Sequence, residues 1–569
     1  MSHQSSLERP EHSAGQMDGI EKHEAAAEEE KKETSLPESY EKLSYGSDGF
    51  TGLVNSPYVF AAALLASLGG FSFGYDQGVI SLILTMPQFH KQYPETAPDS
   101  PRYGFHTGFM TGMLQLGSFL GCLFYPKLAD VISRKWGLTT AVGFYTVGAI
   151  IQTVAMNYAT LVAGRFVGGI GVGTLAMGAP LYISEIAPPE LRGSLLVLEQ
   201  LSIVTGAIIA YWITYGTRVI SGDWAFRLPF LLQIVPALCV GGGIHLFPFS
   251  PRWLALKGRQ EDSLKALSRL RRLPVDDHRV LQEWKGIVME VTFQRELDVR
   301  EHPNASAFTL EVMSWLDLFK RKYIKRTMVA VALPFFQQVR INSTPCNVGL
   351  SSELKLFSTQ FSGINAFEYY APTFFDALGQ DYEMGLILTG MVNICQLVAV
   401  LPALLYLDRL GRRNLTIWGG VAMGIPHTIM AGIVGKYSDS WSSHKGVGWF
   451  GVALIYIYIL AYGISYGPLA WCMPAEVFPN SRRAKGVGLA TAINWLSNFI
   501  IGVAVPPMVI GIGYGTFIFF ASFCFLAAAF AYFCIPETSG KTLEQMDVVF
   551  GDNLGEEEKL MKTRILRDF

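Results

Sequence analysis

Residues 57–81 read PYVFAAALLASLGGFSFGYDQGVIS, and this stretch decides the fold. Asp76 is the only charged residue in it. A helix needs about 20 predominantly apolar residues to cross the roughly 30 Å hydrocarbon core of a bilayer. The stretch therefore predicts a membrane-spanning helix that buries one acid.

The composition of the whole chain is typical of a membrane protein. Of its 569 residues, 50% are hydrophobic and 16% are charged, whereas soluble domains carry about 25% charged residues. The net charge of −2 gives no reason to expect a nucleic-acid partner. The seven cysteines include no C-x-x-C pair, and the sequence has no Ser/His/Asp set, metal-ligand cluster or phosphate-binding loop. We therefore expect neither an enzyme nor a bound cofactor or metal.

Further apolar stretches complete a pattern of twelve membrane-spanning helices. The predicted spans of the first half are 57–81, 105–126, 136–156, 159–184, 194–217 and 228–249. Those of the second half are 327–338 joined to 361–375, 383–407, 414–435, 447–475, 485–509 and 515–535. This order predicts an all-α membrane protein with two six-helix bundles, at 57–249 and 327–535. Residues 250–326 form a cytosolic helical linker, while 1–56 and 536–569 are cytosolic tails, the first of them disordered. The glycine run at 168–173, GGIGVG, lies inside a span and indicates close helix packing rather than nucleotide binding.

Basic residues set the orientation, because they accumulate on the cytoplasmic side of a membrane. The loops that fall on one side carry Arg134, Lys135, Arg192, Arg409, Arg412, Arg413, Arg482, Arg483 and Lys485. We expect this side and both termini to be cytoplasmic, with the chain in the cell membrane.

Two charged motifs recur at matching places in the two halves. The first pair is ADVISRK (129–135) and LDRLGRR (407–413), and the second is 179–193 and 471–486. Each copy places an acid one or two helical turns before basic residues, so we predict an ion-pair latch that holds the halves closed. The predicted latch residues are Asp130, Arg134, Glu185, Arg192, Asp408, Arg412, Glu476 and Arg482. Ordinary flanking charge is the alternative, but parallel repeats of this kind favour the latch.

Several motifs together resemble the sugar porters of the major facilitator superfamily, and the fungal hexose transporters in particular. They are GGFSFGYDQGVI (69–80), GRFVGGIGVG (164–173), PLYISEIAPPELRG (180–193), PFSPRWL (248–254), FSGINAFEYYAP (361–372), LDRLGRR, GPLAWCMPAEVFP (467–479) and PETSGKTLE (536–544). The resemblance implies two bundles around a central sugar site. The chain departs from the family at Pro126 and Ser133, which replace glycines, and at Phe249, which replaces a common Glu.

Amides inside the spans are the candidate sugar ligands. They are costly in lipid unless they line a cavity or pair with one another, and an amide can both donate to and accept from a hydroxyl. Hydrogen bonding between helices is the alternative. The resemblance favours sugar contacts for Gln200, Gln337, Gln338, Asn365, Asn393 and Trp471, with Asn494 as a further candidate.

Tyr369 and Tyr370 could belong to an aromatic belt at the membrane interface, but the resemblance implies that they gate the sugar site. Glu368 precedes them where relatives mostly have an apolar residue. The sequence does not decide whether Glu368 faces the interface or the pore.

Two charges suggest how transport is driven. Asp76 and Arg165 fall inside different spans, and a buried acid needs a partner, so we expect them to pair. Protonation of Asp76 would release Arg165 and loosen the bundle, and this is how a proton could drive symport. A facilitator without coupling is the alternative, because some yeast facilitators keep this acid.

Residues 339–360 interrupt the motif QQFSGIN, which relatives carry unbroken. This 22-residue insert would place polar residues and Pro345 at mid-membrane, where irregular backbone is tolerated only inside protein or a water-filled cavity. The insert corresponds to 66 nucleotides in frame. It begins with Val, whose codons all start with GT, and ends with Gln, one of whose codons ends with AG, so both ends fit the borders of an intron. We interpret it as a retained intron, with a genuine insertion as the alternative.

These observations predict a transporter that carries a monosaccharide, a hexose or a pentose, by alternating access with a proton. The alternatives are a uniporter, a carrier of another polyol, acid or disaccharide, and a non-transporting sugar sensor.

Overall fold

The structure is a computed structural model that describes residues 56–188, 191–303, 306–336, 363–438, 440–478 and 482–538, and seven positions of the C-terminal tail (546, 549, 550, 552, 560, 561 and 564). Within these ranges the chain forms helices and turns and no β-strand. Ten of the described helices are long and apolar enough to cross a membrane. The predicted all-α membrane fold is therefore confirmed.

The helices follow the predicted spans closely. The first half contains α1 (Pro57–Ile83), α2 (Pro87–Gln92), α3 (Tyr103–Ile132), α4 (Arg134–Val154), α5 (Tyr158–Ile186), α6 (Arg192–Thr217), α7 (Trp224–Leu232) and α8 (Ile234–Gly243). The linker contains α9 (Pro251–Leu256), α10 (Gln260–Arg271), α11 (His278–Glu301) and α12 (Ala307–Asp317). The second half contains α13 (Ile324–Phe336), α14 (Ile364–Asp376), α15 (Tyr382–Leu410), α16 (Arg412–Tyr437), α17 (Lys445–Ile464), α18 (Tyr466–Val477), α19 (Arg483–Ile512) and α20 (Gly515–Cys534). The insert at 339–360 lies outside the described residues.

Three helix interruptions coincide with prolines. A proline has no N–H for the carbonyl four residues earlier, and its ring clashes with that carbonyl. Pro236 accounts in this way for the break after Leu232, and Pro468 for the end of α17 at Ile464. Pro372 lies in α14, where Tyr370 has the non-helical angles φ −126° and ψ 22°. The sixth and tenth predicted spans are thus each two helices, and α14 is kinked beside the predicted gate.

Glycines bring the membrane helices into close contact. A Cβ on Gly74 of α1 would lie 1.8 Å from the carbonyl oxygen of Ile203 in α6, and one on Gly173 of α5 would lie 2.1 Å from that of Ser118 in α3. Small residues allow such close backbone approach in membranes. The glycine run at 168–173 therefore serves helix packing, as the sequence indicated.

The motif repeat is visible in the backbone. Gly411 begins α16 with φ 77°, and Ser133 at the matching position begins α4 with φ 112°. Positive φ suits glycine and strains other residues. Ser133 therefore occupies a position whose geometry favours the family's glycine, and its hydroxyl accepts the backbone N–H of Trp136 at 3.2 Å.

We call the end of the bundles that carries residues 250–326 the linker face, and the opposite end, with the loops at 84–102, 218–223 and 377–381, the far face. Among the described contacts that fix the linker to the first half are two side-chain hydrogen bonds to backbone carbonyls. The indole of Trp253 donates to the carbonyl of Asp130 at 3.1 Å, and Arg271 donates to the carbonyl of Ile186 at 2.8 Å.

Candidate functional site

A cavity of about 680 Å³ lies between the two halves. This volume counts all the empty space at the site, including the part that is open to solvent. The first half supplies one wall through α1 and α6, and the second half supplies the other through α14, α15, α17 and α19. The lining comprises Phe73, Gln77, Gln200, Ile203, Val204, Ala207, Asn365, Glu368, Asn393, Gln396, Tyr462, Asn494 and Asn498.

Four of the predicted sugar ligands are brought together in this cavity, although they come from four different helices. They are Gln200, Asn365, Asn393 and Asn494. Asn365 donates its side-chain amide to Asn498, so part of the lining is already ordered by hydrogen bonds. Gln337 and Gln338 lie outside the described residues, as does the side chain of Trp471.

Sequence reasoning missed three amides of the lining: Gln77, Gln396 and Asn498. The signal that could have found two of them is helical spacing, because residues three or four apart share one face of a helix. Gln396 follows Asn393 by three positions, and Asn498 follows Asn494 by four. Gln77 lies four positions after Phe73, the aromatic ring of the same wall.

Glu368 faces the cavity, which answers the question that the sequence left open. Its Oε2 accepts from the side-chain amide of Gln77 at 3.1 Å, and its Oε1 accepts from that of Gln396 at 3.2 Å. Because Gln77 belongs to the first half and Gln396 to the second, the carboxyl group connects the two walls. Glu368 is the only residue of the lining with an acidic or basic side chain.

The two predicted gate tyrosines are both buried but make different contacts. The Tyr369 hydroxyl lies 2.8 Å from the side-chain amide of Gln115 and 3.5 Å from that of Gln77, both in the first half. The Tyr370 hydroxyl donates to the carbonyl of Gly502 at 2.8 Å, inside its own half. The described hydrogen bonds of Tyr369 therefore cross the boundary between the halves, whereas that of Tyr370 stays within its half, although Thr111 of the first half also lies close to the Tyr370 hydroxyl.

Asp76 and Arg165 form the predicted ion pair. The guanidinium of Arg165 donates to a carboxyl oxygen of Asp76 at 3.0 Å, and both side chains are almost completely buried. The pair joins α1 to α5 inside the first bundle and does not line the cavity. Gln77, the next residue of α1, does line the cavity, because successive residues of a helix point in directions about 100° apart.

Three of the four predicted latch residues of the first half form one cluster. Arg134 pairs with Asp130 at 2.7 Å and with Glu185 at 2.9 Å. All three belong to the first half, so this cluster ties α3 and α4 to α5 rather than to the second half. The side chain of Arg192 is outside the described part.

Phe249, which replaces a common Glu of the family, lies among aromatic and basic side chains. It stacks on Trp253 with ring centroids 5.6 Å apart, and the ammonium of Lys135 lies 4.6 Å above the Phe249 ring.

The latch residues of the second half are placed differently. The side chains of Asp408 and Glu476 lie outside the described part. At the start of α16, the backbone N–H of Arg412 donates to the Glu537 carboxylate at 2.8 Å, a favourable place for a negative charge. Arg482 is buried against three linker acids: it pairs with Asp317 at 3.1 Å, with Asp298 at 3.6 Å and with Glu301.

Asp317 is ionised in this cluster. Burial raises its pKa, but hydrogen bonds from Lys320 and His302 and the charge of Arg482 outweigh burial and hold the pKa below its usual value. The ligand atoms of Glu301, His302 and Asp317 lie within 4.8 Å of one another. Because Arg482 and Lys320 already pair with these acids, the cluster is neutralised by protein cations and does not fit a metal ion.

Each face joins the halves in its own way. At the far face, Tyr211 donates to the carbonyl of Leu386 at 2.5 Å, and Arg218 binds Glu383 through two hydrogen bonds of 2.7 and 2.8 Å. At the linker face, Glu311 of α12 lies 3.9 Å from Lys127 of the first half and 3.0 Å from Lys485 of the second.

Comparison with known proteins agrees with this arrangement. The profile of the sugar (and other) transporter family matches residues 62–344 and 353–550. The high-affinity glucose transporter of Kluyveromyces lactis is 30% identical over 515 residues, which cover 87% of this chain and 86% of that protein. H(+)/hexose cotransporter 2 of Parachlorella kessleri is 30% identical over 509 residues, covering 87% and 86%.

A solved structure has the same fold. The xylose transporter XylE from E. coli, in a partially occluded inward open conformation, superposes with a TM-score of 0.66 at 24% sequence identity. The match covers 86% of this chain and 100% of the solved chain.

Proposed function

Since the chain belongs to the sugar (and other) transporter family, we propose that it moves a monosaccharide across the cell membrane by alternating access, in symport with protons. The observation that carries this proposal is the cavity between the halves, whose lining includes seven amides from both sides. Amides satisfy sugar hydroxyls as donors and acceptors, while Phe73 and Tyr462 offer apolar surface for the C–H faces. The similarity to a glucose transporter and a proton–hexose cotransporter supports this substrate class and this coupling.

Within this proposal, Gln200, Gln337, Gln338, Asn365, Asn393, Asn494 and Trp471 contact the sugar, and Gln77, Gln396 and Asn498 join them. The pair Asp76–Arg165 couples transport to protons, since a proton on Asp76 would weaken its bond to Arg165 and loosen α1 from α5. Tyr369 gates the far side of the cavity, and the latch residues stabilise the linker face. The basic linker face is cytoplasmic, with both termini on that side.

Uptake of labelled sugars in a yeast that lacks its own hexose transporters tests the proposal. We expect uptake of at least one hexose or pentose that increases at low external pH and that an uncoupler abolishes. Asp76→Asn is expected to stop uphill accumulation while leaving sugar exchange. Uptake that the uncoupler leaves unchanged would identify a uniporter. Sugar binding without transport would identify a sensor.

We also propose that residues 339–360 are a retained intron. The match to the family profile is interrupted within the insert, at 345–352, although it includes 339–344 and 353–360. Sequencing of cDNA across this point decides between the intron and a genuine insertion, and uptake should be measured with and without these residues.

A further inference from the structure

In the described part of the membrane helices, the buried carboxyl groups outnumber the cations that pair with them. In the described part of these helices, Asp76 pairs with Arg165. Glu199 and Glu368 have no described cation within 4.0 Å. Glu199 is 5% exposed, and its Oε2 has no described hydrogen-bond partner. A buried carboxylate without a cation is unfavourable, so such a group tends to hold a proton.

Glu368 differs from the other two acids in its position. It lines the cavity, whereas Asp76 and Glu199 do not. Its contact with Gln77 crosses the boundary between the halves, so this contact must break when the cavity opens at the far face. The kink at Tyr370 lies two residues away and gives the far end of α14 a place to bend.

The surroundings of Glu368 contain few charges. Among the described residues that line the cavity or adjoin its lining in the chain, the titratable groups are Tyr369, Asp76 with its partner Arg165, Glu199, Cys395 and Tyr462. Arg165 is already bound to Asp76. The residues that α19 contributes to the lining, Asn494 and Asn498, are neutral.

We propose that Glu368 is a second proton-binding site, located in the substrate cavity itself, whose proton exchange is linked to its contact with Gln77. In the closed arrangement the carboxyl group is neutral and bridges the two amides: one amide N–H donates to its carbonyl oxygen, and the other amide turns so that its oxygen accepts the carboxyl O–H. When the cavity opens to water, the O–H bond breaks, the proton passes to a water molecule and the carboxylate remains, hydrated. A proton from water restores the neutral group before the next closure. This inference deepens the proposed transport function and rests on it.

Infrared difference spectroscopy of the purified protein in lipid tests the proton site without any sugar. As the pH is raised in steps, we expect the wild type to lose a protonated-carboxyl band that Glu368→Gln never shows. Glu199→Gln is the matched control, because it removes a buried carboxyl of the same kind outside the cavity lining, and it should keep the Glu368 band. Glu368→Asp should show a titrating band at a shifted pH, which separates loss of the proton from misfolding.

The proton-to-sugar ratio in reconstituted vesicles gives a second measurement. Glu368→Gln should lower this ratio, and Glu199→Gln should not change it. The proposal is wrong if Glu368→Gln retains both the titrating band and the wild-type ratio, which would leave Glu368 as a plain hydroxyl acceptor or as the counter-ion of a cationic sugar. If the wild type carries no monosaccharide, the proposed function fails, and the infrared result still decides whether Glu368 exchanges a proton.

Discussion

The far face and the linker face join the two halves by different means. At the far face the contacts are direct: Tyr369 meets Gln115, and Arg218 meets Glu383. At the linker face the described ion pairs between the halves pass through α12, whose Glu311 reaches a lysine of each half. Among the described polar contacts, one face therefore closes directly and the other is joined through the linker, while apolar contacts such as that of Trp495 with Phe73 also join the halves directly.

This difference has a consequence for alternating access. Direct contacts at the far face must be lost whenever the cavity opens there, so their free energy enters the conformational equilibrium directly. A linker can keep its contacts to one half while it releases the other. Arg482 provides such a permanent attachment, since it is buried against acids of α11 and α12. Substitutions at the linker attachment should therefore affect stability, and substitutions at the far face should affect the balance between conformations.

The largest effect is expected for Arg482→Ala. The substitution leaves Asp298, Glu301 and Asp317 without their shared cation, and breaking a buried pair in this way costs about 3–5 kcal/mol. We expect a marked decrease in the thermal unfolding temperature of the purified protein. Arg259→Ala is the control, because Arg259 pairs with Asp262 on the exposed surface of the same linker, where such pairs contribute little. Equal unfolding temperatures for the two variants would contradict the proposed attachment.

The attachment of Arg482 also shows which contacts can be predicted from the sequence and which cannot. The helices could be predicted, because the length of an apolar run is a local property. The pairing of Asp76 with Arg165 could be predicted as well, because a buried charge must find a partner. The acids that meet Arg482 could not, since they lie in linker helices whose docking depends on tertiary packing.

The cavity illustrates the same limit at the level of single residues. Gln200, Asn365, Asn393 and Asn494 could be chosen because amides are rare and costly inside a membrane helix. The direction of Glu368 was not predicted, although Glu368 follows Asn365 by three positions before the kink at Tyr370, and the same helical spacing places the two on one face. The placement of Gln337, Gln338 and Trp471 in the site stays a prediction.

A smaller effect is expected for Tyr369→Phe at the far face. It removes a hydroxyl that contacts the opposite half, and one hydrogen bond contributes about 0.5–1.5 kcal/mol, or up to about tenfold in an equilibrium constant. We expect faster hydrogen–deuterium exchange in α14 and in the loop at 377–381, as the far face opens more often. Tyr370→Phe loses a hydrogen bond to Gly502 within one half, although Thr111 of the other half also lies close to this hydroxyl, so it should change exchange in the loop at 377–381 less than Tyr369→Phe does. If the two variants open this loop equally, Tyr369 has no special role in closing the far face.

The smallest effect is expected for the pair Arg218–Glu383. Its two short hydrogen bonds cross the halves, but the Glu383 side chain is 55% exposed, so water and salt weaken the attraction. In a double-mutant cycle of Arg218→Gln and Glu383→Gln, measured by exchange in the same loop, we expect a small coupling at low salt that vanishes at high salt. The coupling between Tyr369 and Gln115 should persist at high salt, because both side chains are buried. A coupling at Arg218–Glu383 that resists salt would mean that this exposed pair closes the far face together with Tyr369. The buried and the exposed contacts of the far face would then not differ in their contribution.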